Sequence, residues 1–175
     1  MQLDSELDTM PKATIEAIDT MLCEAFDGDF EAKLVKSLRD KDLLIAEHIL
    51  PLSEEEEEDS DILAYIGYTE VEVESGDADI LGLGPMAVAR NAQGNGIGLD
   101  FLTFSIEAMR EEGVDAIVLL GHTGFYSKAG FRPAADFGLM FGGDQAHEDA
   151  FMAIELRPGA LSGCSGKITY APDFY

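Results

Sequence analysis

Between an apolar pattern that ends at Val88 and a helical one that begins at Ile97, the chain reads Gln93-Gly94-Asn95-Gly96-Ile97-Gly98. Alternate glycines let the main chain adopt φ > 0 and come close to a bulky anion. The N–H groups of a first helical turn have no acceptor within the helix, and the helix dipole lies behind them. This is phosphate chemistry carried by main chain, and it requires few cations. The acids are distributed accordingly: 35 of the 175 residues are Asp or Glu, yet none falls in Ile80–Leu99 or in Ala116–Ala135. Burial accounts for acid-free strands, but not for the polar stretch Arg90–Asn95. A Gly-x-Gly-x-Gly run also serves plain tight turns. A dinucleotide-binding fold, however, would show a different glycine register and an acid about 20 residues further on.

The elements that must hold this turn are readable on both sides. Ile80–Val88 is an apolar strand interrupted by Gly82, Gly84 and Pro85, which predicts a bulge or a distorted edge. Ile97–Glu112 is helical, with Gly113 as its stop. Val114–Leu120 is apolar except for Asp115, as in a strand buried on both faces. Thr123–Ala129 reads as a short helix capped by Gly130, with a strand beginning at Phe131 and another over Ala150–Leu156. Upstream, Ile15, Ile18, Met21, Leu22 and Phe26 recur at helical spacing, predicting a helix over Thr14–Phe26 that Gly28 ends, and a shorter helix follows over Glu31–Leu38. Leu43–Leu50 is a strand closed by Pro51, and Ile62–Val73 is a long strand followed by the turn Ser75-Gly76-Asp77. The unbroken acids Glu54–Asp59 repel one another, so residues 53–61 are expected to form a solvated loop between strands. Met86, Met109, Met140 and Met152 are assigned to the core, and the tail to Tyr175 is expected to be extended or looped. The order is mixed α/β (α+β), with a strand-turn-helix-strand unit at its centre.

Composition narrows the function. At 175 residues, 46% hydrophobic and 26% charged, the chain is expected to form one domain over 1–175 around one core. Its net charge of -24 repels phosphate backbones and anionic lipid surfaces, which argues against nucleic acid and membrane partners and mildly favours cationic substrates. Salt adaptation would give the same charge. Cys23 and Cys164 form no disulfide framework and no metal spacing, Cys164 has no base beside it, and a reducing cytoplasm is the expected compartment. No apolar run approaches the roughly 20 residues that span a bilayer, and the N-terminus is acidic where a signal peptide would be basic.

Three segments together carry a family resemblance: Leu83-Gly84-Pro85-Met86-Ala87-Val88, the turn Gln93–Gly98, and Gly124-Phe125-Tyr126-Ser127-Lys128-Ala129-Gly130-Phe131-Arg132-Pro133. They resemble the GNAT superfamily of N-acetyltransferases, and within it the small bacterial YhbS-like branch. Pro158–Gly163 with Ser165-Gly166 extends the likeness over nearly the whole chain. The resemblance implies a central mixed, mostly antiparallel twisted sheet, flanked by helices, in which two parallel strands splay apart. It also implies acetyl-CoA as co-substrate, no metal, an amine acceptor, and a homodimer as a family-level expectation.

By the same resemblance, Gln93, Gly96 and Gly98 fall on the signature whose amides hold the pyrophosphate of coenzyme A, with Gly94, Asn95 and Ile97 completing the turn. Met86, Ala87 and Val88 would bond the pantetheine arm through their main chain, as a peptide adds to a sheet edge. Tyr126 matches the tyrosine that protonates the departing thiolate; a phenol of pKa about 10 suits that task. The general base stays open between His122, Glu70, Glu72 and water. His122 has a suitable intrinsic pKa but stands where this branch would carry an acid. Lys128 and Arg132 are further candidates for phosphate or pantetheine contacts. The alternative to an enzyme is a non-catalytic acyl-CoA-binding module. A Rossmann domain is disfavoured, because the glycine turn comes mid-chain without its ribose-binding acid.

Overall fold

The computed structural model describes residues 10–52 and 61–175. The expected acidic loop at 53–61 therefore lies outside the described residues except for Asp61. Among the described residues nine strands form two sheets: a six-stranded one in the order β1 (Leu44–Pro51), β2 (Ile62–Glu70), β4 (Ile80–Val88), β5 (Ala116–Leu120), β8 (Phe151–Glu155), β6 (Arg132–Pro133), and a three-stranded one in the order β3 (Glu72–Ser75), β9 (Ser165–Thr169), β7 (Leu139–Phe141). The larger sheet is mixed and mostly antiparallel, as expected, and helices flank it. The chain divides into two compact units, and the boundary falls inside β4, after Gly84.

The first unit runs to Tyr68 and resumes over Pro85–Phe101. It holds α1 (Lys12–Phe26), α2 (Phe30–Asp40), β1 (Leu44–Pro51), most of β2 (Ile62–Glu70), the second half of β4 (Ile80–Val88) and the start of α3 (Ile97–Glu111). In α1 the apolar stripe buries Ile18, Met21 and Leu22, whereas Phe26 stays exposed. The helix ends at Phe26 as expected, but Asp27 and not Gly28 takes the left-handed conformation that stops it (φ 54°). Asp tolerates that region better than most residues. Pro51 is the last residue of β1, where the strand was expected to close.

Under the apolar pattern of this unit lies a polar core that the sequence does not announce. Glu47 of β1 is 2% exposed. It accepts from Arg39 Nε at 3.1 Å, from Arg39 Nη2, and from the buried Tyr65 hydroxyl at 2.8 Å. Each charge-bearing atom thus has a partner, the condition under which a buried ion pair is tolerated. Burial pushes the nearby Asp19 carboxyl up, against the pull of Arg39. His48, also buried, is pushed down to about 4 by desolvation and packs edge-on against Tyr68.

The second unit comprises Thr69–Gly84 and Leu102–Tyr175. It contains β3 (Glu72–Ser75), the first half of β4, most of α3, β5 (Ala116–Leu120), α4 (Thr123–Tyr126), β6 (Arg132–Pro133), β7 (Leu139–Phe141), β8 (Phe151–Glu155) and β9 (Ser165–Thr169). β5 is buried on both faces through Leu119 and pairs antiparallel with β8 from Ala116↔Glu155 to Leu120↔Phe151. The expected long strand Ile62–Val73 is two strands, broken at Val71, and the second of them joins the smaller sheet against β9. In the tail expected to be extended or looped, the extended part is β9 of that sheet. The sheet's inner face adds Leu139, Phe141 and Ile168 to a core shared with Ile80, Val118 and Tyr170. Met109 and Met152 are buried as expected, but Met140 is 46% exposed, because on β7 it alternates with the inward Leu139 and Phe141.

Candidate active site

The feature that sets the site is where β4 leaves β5. The two strands run parallel in register only over Ile80↔Ala116, Leu81↔Ile117 and Gly82↔Val118. β5 continues against β8 to Leu120, and β4 continues to Val88, but they no longer pair with each other. The break begins where the sequence carries Gly82, Gly84 and Pro85, and Pro85 has no N–H to offer a ladder. A parallel pair released in mid-strand exposes main chain along an inner edge, and an extended amide-bearing ligand can use that edge as a further strand.

In the first unit, the main chain after β4 makes a single 3-10 turn over Arg90–Ala92 and then enters the glycine turn. Gly94 and Gly96 have φ of 80° and 84°, and a Cβ on either would meet nothing within 4 Å. Conformation, and not crowding, therefore calls for glycine at both. The side chain of Gln93 folds back so that its Nε2 donates to the Val88 carbonyl at 3.0 Å, tying the turn to the end of β4. Asn95 Nδ2 reaches the Ala92 carbonyl at 3.5 Å. α3 starts with Leu99 and Asp100 N–H both donating to Gly96 O, at 3.0 and 3.1 Å. Among the described residues, the N–H groups from Gly94 to Gly98 make no hydrogen bond to protein. A row of main-chain donors at the head of a 15-residue helix has the chemistry to form a cradle for an anion. Met86–Val88 at the end of β4 and the turn Gln93–Gly98 are thus joined through the Gln93–Val88 bond.

Arg90 is not available to that cradle. Its Nη2 donates to the Glu24 carbonyl at 2.6 Å and to Asp27 Oδ1 at 2.5 Å, which fastens the end of α1 to the segment ahead of the turn. Beside it, a groove of 710 Å³ within this unit is lined by Glu16, Glu24 and Asp61 together with Met21, Leu63 and Ala89. Carboxylates over an apolar floor suit an amine-bearing ligand better than an anion.

Tyr126 lies in the second unit, at the end of α4. Its ring stands edge-on to Phe125 and Phe131, with centroids 5.0 and 5.8 Å away. It also covers Gly121, the residue that follows β5: a Cβ there would collide with Tyr126 Cε2, with Cδ2 at 2.8 Å. Burial pushes the phenol up to about 12. It is therefore a neutral proton donor across the working pH range.

His122 begins α4 with its carbonyl, which accepts from Phe125 and Tyr126 N–H at 2.9 and 3.1 Å, while its ring is exposed. Glu70 ends β2 and Glu72 opens β3, both exposed. Arg132 pairs with Asp136 at 3.0 Å and lies over the Phe137 ring, so it is committed locally; Lys128 is exposed. Cys23 and Cys164 are unpaired. Among the described residues, no group of three His, Cys, Asp or Glu could hold a metal, and no helix is long and apolar enough to cross a membrane.

A mixed sheet whose parallel pair opens ahead of a glycine turn and a helix N-terminus defines an N-acyltransferase. A family model described as the acetyltransferase (GNAT) family matches residues 15–131, and the chain belongs to that family. It is 29% identical over 157 residues, 90% of each chain, to the uncharacterized N-acetyltransferase YhbS of Escherichia coli K12. The crystal structure of Escherichia coli YhbS in complex with CoA is similar at a TM-score of 0.84 and 27% identity, covering 99% of this chain and 89% of that one. A Brucella melitensis GNAT acetyltransferase solved with acetyl-CoA shares the fold at a TM-score of 0.69 and 23% identity, covering 99% of this chain and 96% of that one.

Proposed function

We propose that this acetyltransferase moves the acetyl group of acetyl-CoA to a primary amine of a small molecule or protein in a single direct step. In this reading the whole chain, residues 1–175, is one acyltransferase domain. The observation that carries the reading is the release of β4 from β5 after Gly82↔Val118, upstream of a turn with unused N–H donors. The pantetheine arm would lie along Met86–Val88, and the pyrophosphate would sit on the N–H groups of Gly94–Gly98. The acceptor enters as a neutral amine, and its nitrogen attacks the thioester carbonyl, whose developing charge is met by main-chain donors on β4. The carbon–sulfur bond then breaks and Tyr126 gives its proton to the sulfur. The nitrogen gives up its extra proton to a base, His122, Glu70, Glu72 or water, and solvent returns a proton to the phenolate. A phenol near 12 is a weak acid in water, but the burial that raises it also raises the basicity of a thiolate formed beside it, so the pair remains matched. The net charge of -24 and the acidic groove beside Arg90 favour cationic acceptors. Unpaired Cys23 and Cys164 fit the reducing cytoplasm that we assign as its compartment.

The test is calorimetric titration with acetyl-CoA at low and high salt, for the native chain and for Gly96→Glu. Micromolar binding that the variant loses by at least about 100-fold is expected, since a carboxylate in the cradle would oppose the pyrophosphate. Equal binding by the two proteins removes the turn from the site. Binding without thiol release across a panel of amines makes the chain an acyl-CoA-binding module instead of an enzyme.

A further inference from the structure

The C-terminal tail delivers a buried aromatic residue to the point where β4 and β5 part. Tyr170, just beyond β9, is 6% exposed. Its hydroxyl donates to the Val118 carbonyl at 3.1 Å, and Val118 is the last residue of β5 in register with β4. Its ring occupies the space over Val118's partner: a Cβ on Gly82 would collide with Tyr170 Cε1, with Cζ at 2.9 Å. The tail braces the ring from behind. Tyr170 N–H donates to the Tyr175 hydroxyl at 3.2 Å, and the Phe174 ring lies 4.9 Å from that of Tyr170. Phe174 in turn sits under the next glycine of β4, 3.6 Å from where a Cβ of Gly84 would be.

A parallel ladder continues as long as each carbonyl and N–H finds its counterpart on the neighbouring strand. At Gly82↔Val118 that continuation meets a phenol which serves one carbonyl from outside the ladder and an aromatic ring against a residue that has no side chain to resist it. We infer that Tyr170, braced by Phe174 and Tyr175, is a positioning residue for acyl transfer: a wedge that fixes where β4 leaves β5 and so where along β4 the main-chain edge offered to the pantetheine arm begins. This rests on the reading that the arm lies along β4. Burial, reinforced by the neighbouring phenols of Tyr175 and Tyr126, pushes the Tyr170 hydroxyl far up.

The experiment compares two ligands, acetyl-CoA and its nucleotide half, 3′-phosphoadenosine 5′-diphosphate, which has the pyrophosphate but no pantetheine. Affinities are measured by calorimetry for the native chain, Tyr170→Ala and Tyr170→Phe, with circular dichroism as the check on folding. The wedge predicts that Tyr170→Ala weakens acetyl-CoA by about tenfold or more while the nucleotide half changes by less than about twofold. Tyr170→Phe, which keeps the ring and loses the hydrogen bond, should show about threefold on acetyl-CoA alone. A folded Tyr170→Ala that binds acetyl-CoA normally overturns the wedge, and so does an equal loss for both ligands, which marks general loosening. If Tyr170→Ala does not fold, the Tyr170→Phe affinity ratio decides: unchanged from the native ratio, it rejects the proposal. A native chain that binds neither ligand overturns the underlying cofactor reading, whereas native binding with indifferent Tyr170 variants overturns the wedge alone.

Discussion

The two parts of the proposed site are built in opposite ways. The turn Gln93–Gly98 is exposed main chain, with nothing within 4 Å of where Gly94 or Gly96 would carry a Cβ. The corner around Tyr126 is side chain packed on side chain, with Phe125, Phe131 and Gly121 fixing one ring. A main-chain cradle is sensitive to backbone angle and added charge but indifferent to neighbouring volume. A packed corner is sensitive to volume and to the one polar atom it presents. The difference separates binding from turnover: perturbing the turn should change cofactor affinity, and perturbing the corner should change kcat.

The largest expected effect tests the corner directly. Tyr126→Phe keeps the ring and its edge contacts and removes the acidic proton. Turnover should fall by about 100-fold, the lower end for a general acid because a thiolate leaves readily, with the KM for acetyl-CoA within about threefold. Unchanged turnover strikes Tyr126 from the catalytic group. The phenol also makes a pH prediction. Its folded pKa of about 12 lies above the unfolded value near 10. The stability it contributes is therefore complete below pH 10 and is lost as pH rises through 12. Melting temperature should fall more steeply in the native chain than in Tyr126→Phe over that window. Below pH 10 the two kcat profiles should be parallel.

Gly121→Ala probes the same corner through volume alone. The added methyl must displace the Tyr126 ring, at a cost of about 1–3 kcal/mol in stability for an overpacked site. The displaced hydroxyl should lower kcat by about tenfold, since small misplacements of a reacting group are costly. Acetyl-CoA binding, measured by calorimetry, should not move. A loss of affinity equal to the loss of turnover would break the division between the two regions.

How far each region could be read in advance follows from the same contrast. The turn was legible because main-chain function leaves its mark in residue type: glycines at alternate positions and a stretch without acids. β4 was legible over Ile80–Val88 because its glycines and proline punctuate an apolar run. Gly121, in contrast, matters only because the chain returns to place Tyr126 over it. The three-stranded sheet went unread because β7 and β9 are three and five residues long, too short for a period to register. Val71 sits in an alternating Glu-Val-Glu-Val run, Glu70–Val73, that continues the period of a strand, so the change of sheets there has no local signal. The ion pair of Arg39 and Glu47 lies on elements whose apolar pattern was correct, yet pattern does not reveal which charged residue turns inward. Tyr170 depends on contacts 52 and 88 residues away, at Val118 and Gly82, and only the folded chain contains them.

On the turn side, Gly94→Ala should fold normally, since the site has room. Holding alanine at a φ of 80° costs about 1 kcal/mol. That predicts roughly a fivefold loss of acetyl-CoA affinity with kcat at saturation unchanged. An equivalent fall in kcat would show that the turn takes part in the chemistry.

The smallest effect is the most discriminating between two ways the turn could work. In the proposed reading Gln93 opens the phosphate-binding turn, but its Nε2 is already spent on the Val88 carbonyl. Its part would then be to hold the turn in shape, and an exposed hydrogen bond of this kind contributes about 0.5–1 kcal/mol. Gln93→Ala should weaken acetyl-CoA by only about two- to fivefold, with a salt dependence identical to that of the native chain. If the side chain instead swings out to the pyrophosphate when the cofactor binds, the loss should exceed tenfold and Gln93→Arg should strengthen binding at low salt through its added charge. Titrations of the three proteins at two salt concentrations distinguish these cases, and only the first leaves the cradle a main-chain device.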